Sequence, residues 1–303
     1  MAALGRIACL GEVMVEVART EGDMARIGVA GDTFNTAVYL SRALGPGRVA
    51  YVTALGADRQ SDRIVEALRV EALDTTHVVR IPGLMPGLYL IDTDARGERS
   101  FSYWRSASAA RRMFSPESGL EPEALEAFDT VYLSGISIAI LDPAARDRLA
   151  EGLARFRARG GRVAFDSNYR PVLWPDRATA QAEMTRFIGL TDIGFPSRDD
   201  EEALFGAGDQ STILARYAAA GVRQGALKCG GEGALALDGS GVVRLPGKGV
   251  RVLDTTAAGD SFNAGFVAAL DRGLAIEGCL DAAAALAERV ISVRGAILPR
   301  EAG

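Results

Sequence analysis

The sequence has very few of the side chains that build metal centres and disulfide frameworks. It has one histidine, His77, and three cysteines, Cys9, Cys229 and Cys279, which lie far apart and form no CxxC pair. A disulfide framework or a zinc site is therefore not expected, and a reducing cytosol suits the thiols. A single imidazole also excludes a metal site built on several histidines. We expect His77 to lie in a connecting segment without a catalytic role.

Long apolar runs and a strong excess of positive charge are also missing. No segment approaches the ~20 apolar residues of a membrane helix, and Glu12 interrupts the apolar start, which predicts a first strand rather than a signal peptide. The net charge of −5 argues against a general nucleic-acid binder. With 48% hydrophobic and 24% charged residues, the chain is typical of a globular cytoplasmic protein with no membrane or nucleic-acid partner.

Strand-like and helix-like segments alternate along most of the chain. Short runs rich in β-branched and aromatic residues, such as RVAYVTALG, TVYLSGI and RVAFDSN, are separated by helical stretches such as AARDRLAEGLARFRARG. This alternation predicts an α/β fold, with a mostly parallel sheet covered by helices on both faces. GDTFNTAVYLSRAL is expected to form a helix with Asp32 or Thr33 as its N-cap. No repeat or Pro/Ser-rich linker divides residues 1–303, which predicts a single domain.

One region departs from this alternation. GLYLIDTDARGERSFSYWR contains two strand-like runs around the turn-like stretch DARGE, which predicts a β-hairpin. Inside an α/β fold the hairpin is a candidate lid, built mainly from about residues 86–106 with an N-terminal extended piece at about 13–30. The alternative is an antiparallel ribbon at the edge of the sheet. Because an exposed sheet edge invites pairing, we expect a homo-oligomer, a dimer or higher, that associates through the lid.

The segment DTTAAGDSFNAGF, residues 254–266, places small residues before an acid and a helix-like stretch. Ala257, Ala258 and Gly259 would let a phosphate approach the unpaired N–H groups at the start of that helix. Asp260 would repel the phosphate, but it is useful there if it takes a proton from a hydroxyl that attacks a phosphoryl group. On this pattern alone, a plain helix cap at Asp260 and an ordinary turn before it remain the alternative.

DTTAAGDSF resembles the C-terminal signature of the ribokinase-like (PfkB) sugar kinases, and AGDTFNTAVYLSRALG resembles their first signature. DSNYR resembles the D-x-N-x-R element of several acid-sugar kinases in that family, and the resemblance extends over essentially the whole chain. It implies a ribokinase-like fold and phosphorylation of 2-keto-3-deoxygluconate at its 6-hydroxyl by ATP with Mg²⁺. The alternatives are a kinase for another sugar or sugar acid (2-keto-3-deoxygalactonate, fructose or ribose) and a non-catalytic sugar-binding protein on the same scaffold.

The resemblance also assigns roles at the nucleotide end. Asp260 matches the catalytic base, and the small residues 257–259 match the anion hole that holds the transferring phosphate. The ATP-binding positions are Asn168, Ser197, Lys228, Gly230, Gly233 and Gly259. Asp200 stands at a position that organises magnesium indirectly. Asp254 stands at one associated with a monovalent-cation loop, which makes K⁺ a further candidate cofactor.

The sugar end calls for groups that bind a carboxylate and several hydroxyls. Guanidinium groups bind carboxylates through charged and often bidentate hydrogen bonds, which suits Arg105 at the end of the hairpin and Arg170 after the DSN strand. Tyr89 and Tyr103, one on each hairpin strand, offer a ring wall and a hydroxyl. The remaining substrate-binding positions implied by the resemblance are Gly31, Asp32, Asn35 and Asp260.

Overall fold

The structure is a computed structural model that describes residues 3–20, 24–93, 99–206, 208–245 and 250–300. The strands are β1 (Ile7–Leu10), β2 (Met14–Arg19), β3 (Ala25–Ala30), β4 (Val49–Leu55), β5 (Val78–Arg80), β6 (Leu88–Thr93), β7 (Arg99–Trp104), β8 (Thr130–Ser134), β9 (Arg162–Asp166), β10 (Ile193–Phe195), β11 (Gln224–Lys228), β12 (Ala234–Ala236) and β13 (Val243–Arg244). The α-helices are α1 (Asp32–Leu44), α2 (Arg59–Val70), α3 (Gly135–Ala139), α4 (Pro143–Ala158), α5 (Arg177–Ile188), α6 (Arg198–Phe205), α7 (Gln210–Ala219), α8 (Ala258–Asp271) and α9 (Ile276–Ile291).

The larger sheet has the strand order β13-β12-β11-β10-β9-β8-β1-β4-β5. Every pair from β11 to β5 is parallel, and β12 and β13 add an antiparallel edge. Side chains alternate across the sheet, as a period of two requires. In β1, Ala8 and Leu10 pack in a core that includes α4 and α5, whereas Ile7 and Cys9 pack in a second core that includes α1 and α8. The prediction of a mostly parallel sheet covered on both faces is confirmed.

A second, smaller sheet has the strand order β3-β2-β6-β7. β2 pairs antiparallel with β3 and parallel with β6, and β6 pairs antiparallel with β7, so that Tyr89 lies opposite Tyr103. The two segments that the sequence analysis combined, about 13–30 and 86–106, therefore share one sheet. The expected turn DARGE, residues 94–98, lies outside the described residues. The two strands that flank this turn, β6 and β7, belong to the small sheet and not to the edge of the larger one.

The expected N-cap of the first helix is wrong. Gly31 is the N-cap residue of α1, and no side chain caps the helix. A Cβ atom at Gly31 would lie 2.4 Å from the Glu12 carbonyl oxygen, so the close approach of two backbones requires glycine here. The Asp32 carboxylate turns to other partners, described below, and the Thr33 hydroxyl hydrogen-bonds the Tyr51 hydroxyl at 2.9 Å.

The three cysteines and the single histidine pack against other parts of the chain. All three cysteines are buried and free, and burial raises the pKa of Cys279 to about 11 and that of Cys229 above its ordinary value. His77 lies in a turn before β5 and packs edge-on against Phe128, with ring centroids 5.3 Å apart. Among the residues described, no helix has the length and apolar character needed to span a membrane.

Candidate active site

Two helix starts meet over the carboxyl ends of the central strands. The first turns of α1 and α8 carry Asn35 and Asp260, and these two helices pack against each other. The parallel strands β9 and β11 end at Asp166 and Lys228, so both residues lie at the carboxyl edge of the sheet. The carboxyl edge of a parallel sheet, where helices begin, is the usual ligand-binding position in this type of fold.

Asp260 forms the centre of this region. Its Oδ2 accepts a hydrogen bond of 2.8 Å from the Asn35 side-chain amide. Burial and the neighbouring Asp32 carboxylate raise the pKa of Asp260 to about 8, against the opposing effects of the Asn35 hydrogen bond and the Lys228 ammonium. Asp260 is not a helix cap, because Ala257 occupies that position. A carboxyl group in this state exchanges its proton near neutral pH, as a general base must.

The small residues before Asp260 form a tight turn beside a lysine. Ala257 has a left-handed backbone with φ 60°, and the Ala258 N–H donates to the Thr255 carbonyl at 3.2 Å. A Cβ atom at Gly259 would lie 3.4 Å from Lys228 Nζ. The start of α8 therefore lies next to an ammonium group, and a helix N-terminus and an ammonium group together suit an anion.

Lys228 is held by a buried network under this turn. Its Nζ pairs with Asp166 Oδ1 at 2.8 Å. The other oxygen, Asp166 Oδ2, accepts a hydrogen bond of 2.6 Å from Asn263 Nδ2, which also donates to the Tyr132 hydroxyl at 2.9 Å. Asn263 lies one helical turn after Asp260 on α8. The network therefore ties the lysine to the helix that carries the candidate base.

Asp32 lies within electrostatic reach of Asp260 and is oriented by two donors. Its Oδ2 accepts hydrogen bonds from the Ser134 hydroxyl at 2.5 Å and from Asn168 Nδ2 at 2.8 Å. Asn168 has a φ of 26°, an uncommon value for a residue with a side chain. This contact groups Asn168, predicted at the ATP end, with residues predicted at the sugar end.

Four polar side chains in or next to the second sheet form two contacts. The Arg105 guanidinium forms an ion pair with the buried Glu12 carboxylate. The Tyr89 hydroxyl donates to Glu16 Oε2 at 2.5 Å, and burial together with the Glu16 carboxylate raises the pKa of Tyr89. Tyr103 packs on the Tyr89 ring with centroids 5.7 Å apart and is 52% exposed, so one tyrosine is anchored and the other is open to solvent.

Arg170 is exposed and lies next to Asp200. Its guanidinium donates to Asp200 Oδ1 at 3.2 Å and to the Tyr169 carbonyl at 2.8 Å. Burial raises the pKa of Asp200, and Asp166 raises it further, while Arg170 and Lys228 lower it. The predicted sugar-end arginine thus contacts the predicted magnesium-organising carboxylate. Ser197 begins α6 without a side-chain cap and pairs in parallel with Lys228.

The remaining predicted residues lie in loops. Gly230 (φ 55°) and Gly233 (φ 99°) flank a short turn after β11, and a Cβ atom at Gly233 would lie 2.1 Å from the Arg244 carbonyl oxygen. Both carboxylate oxygens of Asp254 accept hydrogen bonds, from Thr256 and from the Gly295 N–H. Within the described ranges, no group of three or more His, Cys, Asp or Glu side chains is arranged to hold a metal ion.

Sequence reasoning did not assign roles to several residues that the structure brings to the site. Asp166 was visible only as the first letter of DSNYR, and Glu12 only as a charge that interrupts an apolar run. Asn263 carried no signal beyond its spacing of three from Asp260. Thr36 donates to the Asp260 carbonyl at 3.2 Å from one turn inside α1.

Comparisons with known proteins point to one family. The profile of the pfkB family carbohydrate kinases matches residues 5–302. The 2-dehydro-3-deoxygluconokinase of Escherichia coli (strain K12) is 42% identical over 304 residues, covering 98% of each chain. The enzyme of the same name from Dickeya dadantii (strain 3937) is 41% identical over 303 residues, covering 98% of this chain and 97% of the other.

A solved structure supports the fold. A fructokinase double mutant from Vibrio cholerae O395, with fructose, ADP and potassium ion bound, superposes with a TM-score of 0.83 at 24% identity and covers 98% of this chain and 95% of its own. Because the family profile matches nearly the whole sequence and the first and last signatures meet in the contact between Asn35 and Asp260, the chain belongs to the pfkB family of carbohydrate kinases.

Proposed function

We propose that this kinase transfers the γ-phosphoryl group of ATP to the 6-hydroxyl of 2-keto-3-deoxygluconate, giving 2-keto-3-deoxy-6-phosphogluconate and ADP. The observation that carries the proposal is Asp260, a carboxyl with a raised pKa that is held by Asn35 at the start of α8, beside Lys228. The substrate follows from relatives about 40% identical over the full chain.

Asp260 takes the proton of the attacking hydroxyl. The Asn35 amide holds one carboxylate oxygen, so that the other is left to face the sugar. As the hydroxyl oxygen attacks the γ-phosphorus, its proton passes to Asp260 and the bond to the β-phosphate oxygen breaks. The transferring group carries negative charge, which the N–H groups at the start of α8 and the Lys228 ammonium stabilise.

The residues present fit ATP bound with magnesium. Lys228 is buried against Asp166 and reaches the start of α8, where the phosphates would lie. Magnesium takes few protein ligands when phosphates and water supply the others, which agrees with two candidate carboxylates here, Asp166 and Asp200. The ion would neutralise the phosphate charge that develops during transfer. Potassium at the Asp254 loop is proposed because the V. cholerae fructokinase structure holds that ion.

The second sheet serves as the lid in this proposal. Tyr89 of β6, Tyr103 of β7 and Arg105 directly after β7 would face the sugar acid, with Arg105 binding the carboxylate. Closing the sheet over the sugar excludes water, which would otherwise compete as the phosphoryl acceptor. The exposed aromatic side chains of β7 support our prediction that the protein associates with itself through this sheet.

The proposal is tested by coupled ADP release with 2-keto-3-deoxygluconate, 2-keto-3-deoxygalactonate, fructose and ribose at matched concentrations. We expect the highest kcat/KM with 2-keto-3-deoxygluconate, and ³¹P NMR should place the phosphate on O6. A preference for a neutral sugar would refute the sugar-acid assignment. Tight sugar binding with no ADP release would instead favour a non-catalytic sugar-binding protein.

A further inference from the structure

One deeply buried carboxylate near the proposed sugar site has no role in the proposed chemistry. Glu12 is 1% exposed and follows β1, at the point where the chain leaves the larger sheet for the smaller one. Its carboxylate pairs with Arg105, whose side chain is 10% exposed. A buried charge is tolerated where a partner of opposite charge compensates it, and Arg105 is that partner.

The pair leaves hydrogen-bonding capacity unfilled. Among the residues described, Arg105 Nε and Glu12 Oε1 are buried and have no hydrogen-bond partner. A buried guanidinium with an unused N–H is costly unless something binds it. A ligand carboxylate can accept from such a group while the guanidinium keeps its contact with Glu12, because the guanidinium has five donors in a fixed plane.

Three chain segments meet at the Glu12 carboxylate. Arg105 directly follows β7, and Gly87 directly precedes β6. A Cβ atom at Gly87 would lie 2.6 Å from Glu12 Oε1 and 3.2 Å from the Arg105 Cβ. The absence of a side chain at Gly87 therefore gives the carboxylate its space. The Glu12 carbonyl oxygen lies against Gly31 in the same way, so this residue sits between the predicted sugar-binding glycine and the arginine.

We propose that Glu12 is a positioning residue that sets the orientation of the Arg105 guanidinium for the carboxylate of the sugar acid. The inference rests on the proposed function, because it takes Arg105 as the group that binds that carboxylate. Glu12 itself does not contact the reacting atoms. It holds one edge of the guanidinium plane so that Nε and the remaining donors point to the substrate, and it compensates the arginine charge in the absence of substrate.

The first test is Glu12→Gln, which keeps the shape and one acceptor oxygen but removes the charge. A less well oriented guanidinium should raise KM for 2-keto-3-deoxygluconate roughly tenfold, with KM for ATP and kcat within about twofold, because carboxylate binding is the same in ground and transition states. An unchanged or lower KM would overturn the proposal. A lower KM is what simple charge repulsion between Glu12 and the substrate predicts.

A second variant keeps both charges. Gly87→Ala places a methyl group against Glu12 Oε1 and should displace the carboxylate, so its KM for the sugar acid should rise as that of Glu12→Gln does. The matched control is Glu71→Gln, which weakens a less buried Arg–Glu pair, with Arg42, away from the small sheet. It should lower the melting temperature without changing either KM. Normal sugar kinetics in Gly87→Ala, with Glu12→Gln unfolded, would also count against the proposal.

Combination with Arg105→Met separates this inference from the proposed function. If Glu12 acts through Arg105, Glu12→Gln adds no further increase in KM once Arg105 is replaced. Full additivity would show that Glu12 acts on the substrate by another route. If Arg105→Met alone leaves KM for the sugar acid unchanged, the carboxylate-binding role of Arg105 is wrong and the positioning role falls with it. If Arg105→Met raises KM but Glu12→Gln does not, only the positioning role is refuted.

Discussion

Lys228 Nζ lies 2.8 Å from Asp166 Oδ1, and the ion pair joins the ends of β11 and β9. Both side chains are largely buried, and Asn263 from α8 binds the other carboxylate oxygen. The lysine charge is therefore held in a fixed place next to the start of α8. A fixed charge stabilises a phosphoryl group more effectively than a mobile one, because it needs no reorganisation during the reaction.

Replacing this charge should weaken phosphoryl transfer. We expect Lys228→Met to lower kcat/KM about 10²-fold, with an increase in KM for ATP, because it removes an ammonium group at the phosphates and leaves Asp166 without its ion pair. Steady-state kinetics with ATP as the varied substrate checks this. The nearby exposed pair between Arg198 and Glu232 supplies a control, since Glu232→Gln should leave both constants nearly unchanged. Equal effects of the two variants would contradict the role of Lys228.

Asp260→Asn should lower kcat by roughly 10²–10⁴-fold, the range expected for loss of a general base. Asn keeps the size of the side chain but cannot take a proton. The matched control is Asp271→Asn at the other end of α8, where the carboxylate binds Arg48. It should reduce stability and keep kcat. Near-normal turnover of Asp260→Asn in the ADP-release assay would refute its assignment as the base.

The activity should rise with pH because the base must be deprotonated. The pKa of Asp260 is raised to about 8, so log kcat/KM should increase with a slope of about one below that value and level off above it. A profile from pH 5.5 to 9 with 2-keto-3-deoxygluconate, corrected for the coupling enzymes, measures this. A profile that is flat from pH 6 upward would show that the free enzyme already has an ionised Asp260.

The same raised pKa affects stability. A carboxyl whose pKa is higher in the folded than in the unfolded protein favours folding at low pH, and that contribution is lost progressively as the pH rises from about 4 to about 8. Asp260→Asn cannot ionise, so its gain in melting temperature over the wild type should be larger at pH 8 than at pH 5. Differential scanning fluorimetry at pH 5 and pH 8 tests this. A gain in melting temperature confined to pH 5 would contradict the predicted pH dependence.

Replacing Asn168 should weaken binding of the sugar acid rather than binding of ATP. Its side chain donates to Asp32, and its φ of 26° is tolerated better by glycine than by alanine. Asn168→Gly removes the hydrogen bond with little backbone cost and should raise KM for the sugar acid severalfold, with KM for ATP unchanged. Asn168→Ala should show the same kinetics and lower stability. An increase in KM for ATP alone would instead support the predicted ATP-binding role of Asn168.

The alternation of strands and helices was readable because it depends on local periodicity and on run length. The helix cap was misassigned because a tertiary contact overrode the local signal. Asp32 has the side chain of a good N-cap, but Ser134, 102 residues later, binds its carboxylate. Gly31 takes the cap position because the chain passes close to Glu12. Ser134 and Glu12 lie outside the sequence around the helix start, so a local pattern could not predict their contacts.

The site residues show the same limit. Asp260 stood out because small residues and a helix start lie beside it in sequence. Glu12 could be noticed only as a charge in an apolar run, since its partner Arg105 lies 93 residues later in the chain, directly after β7. Arg170 carried the expected charge, but the structure pairs it with Asp200. The order of the strands in the sheets decides which oppositely charged side chains meet. The residues next to a charge in the sequence do not reveal that order.

The contact between Asn35 and Asp260 spans 225 residues, which has a consequence for how the protein is made. At roughly 5–20 residues per second of synthesis, Asp260 leaves the ribosome roughly 10–45 s after Asn35. Throughout that interval the face of α1 that carries Phe34 and Val38 lacks its neighbours Phe262 and Phe266 of α8, with which it shares one core. The core on this side of the sheet is therefore completed only when α8 has been synthesised, late in the making of the chain.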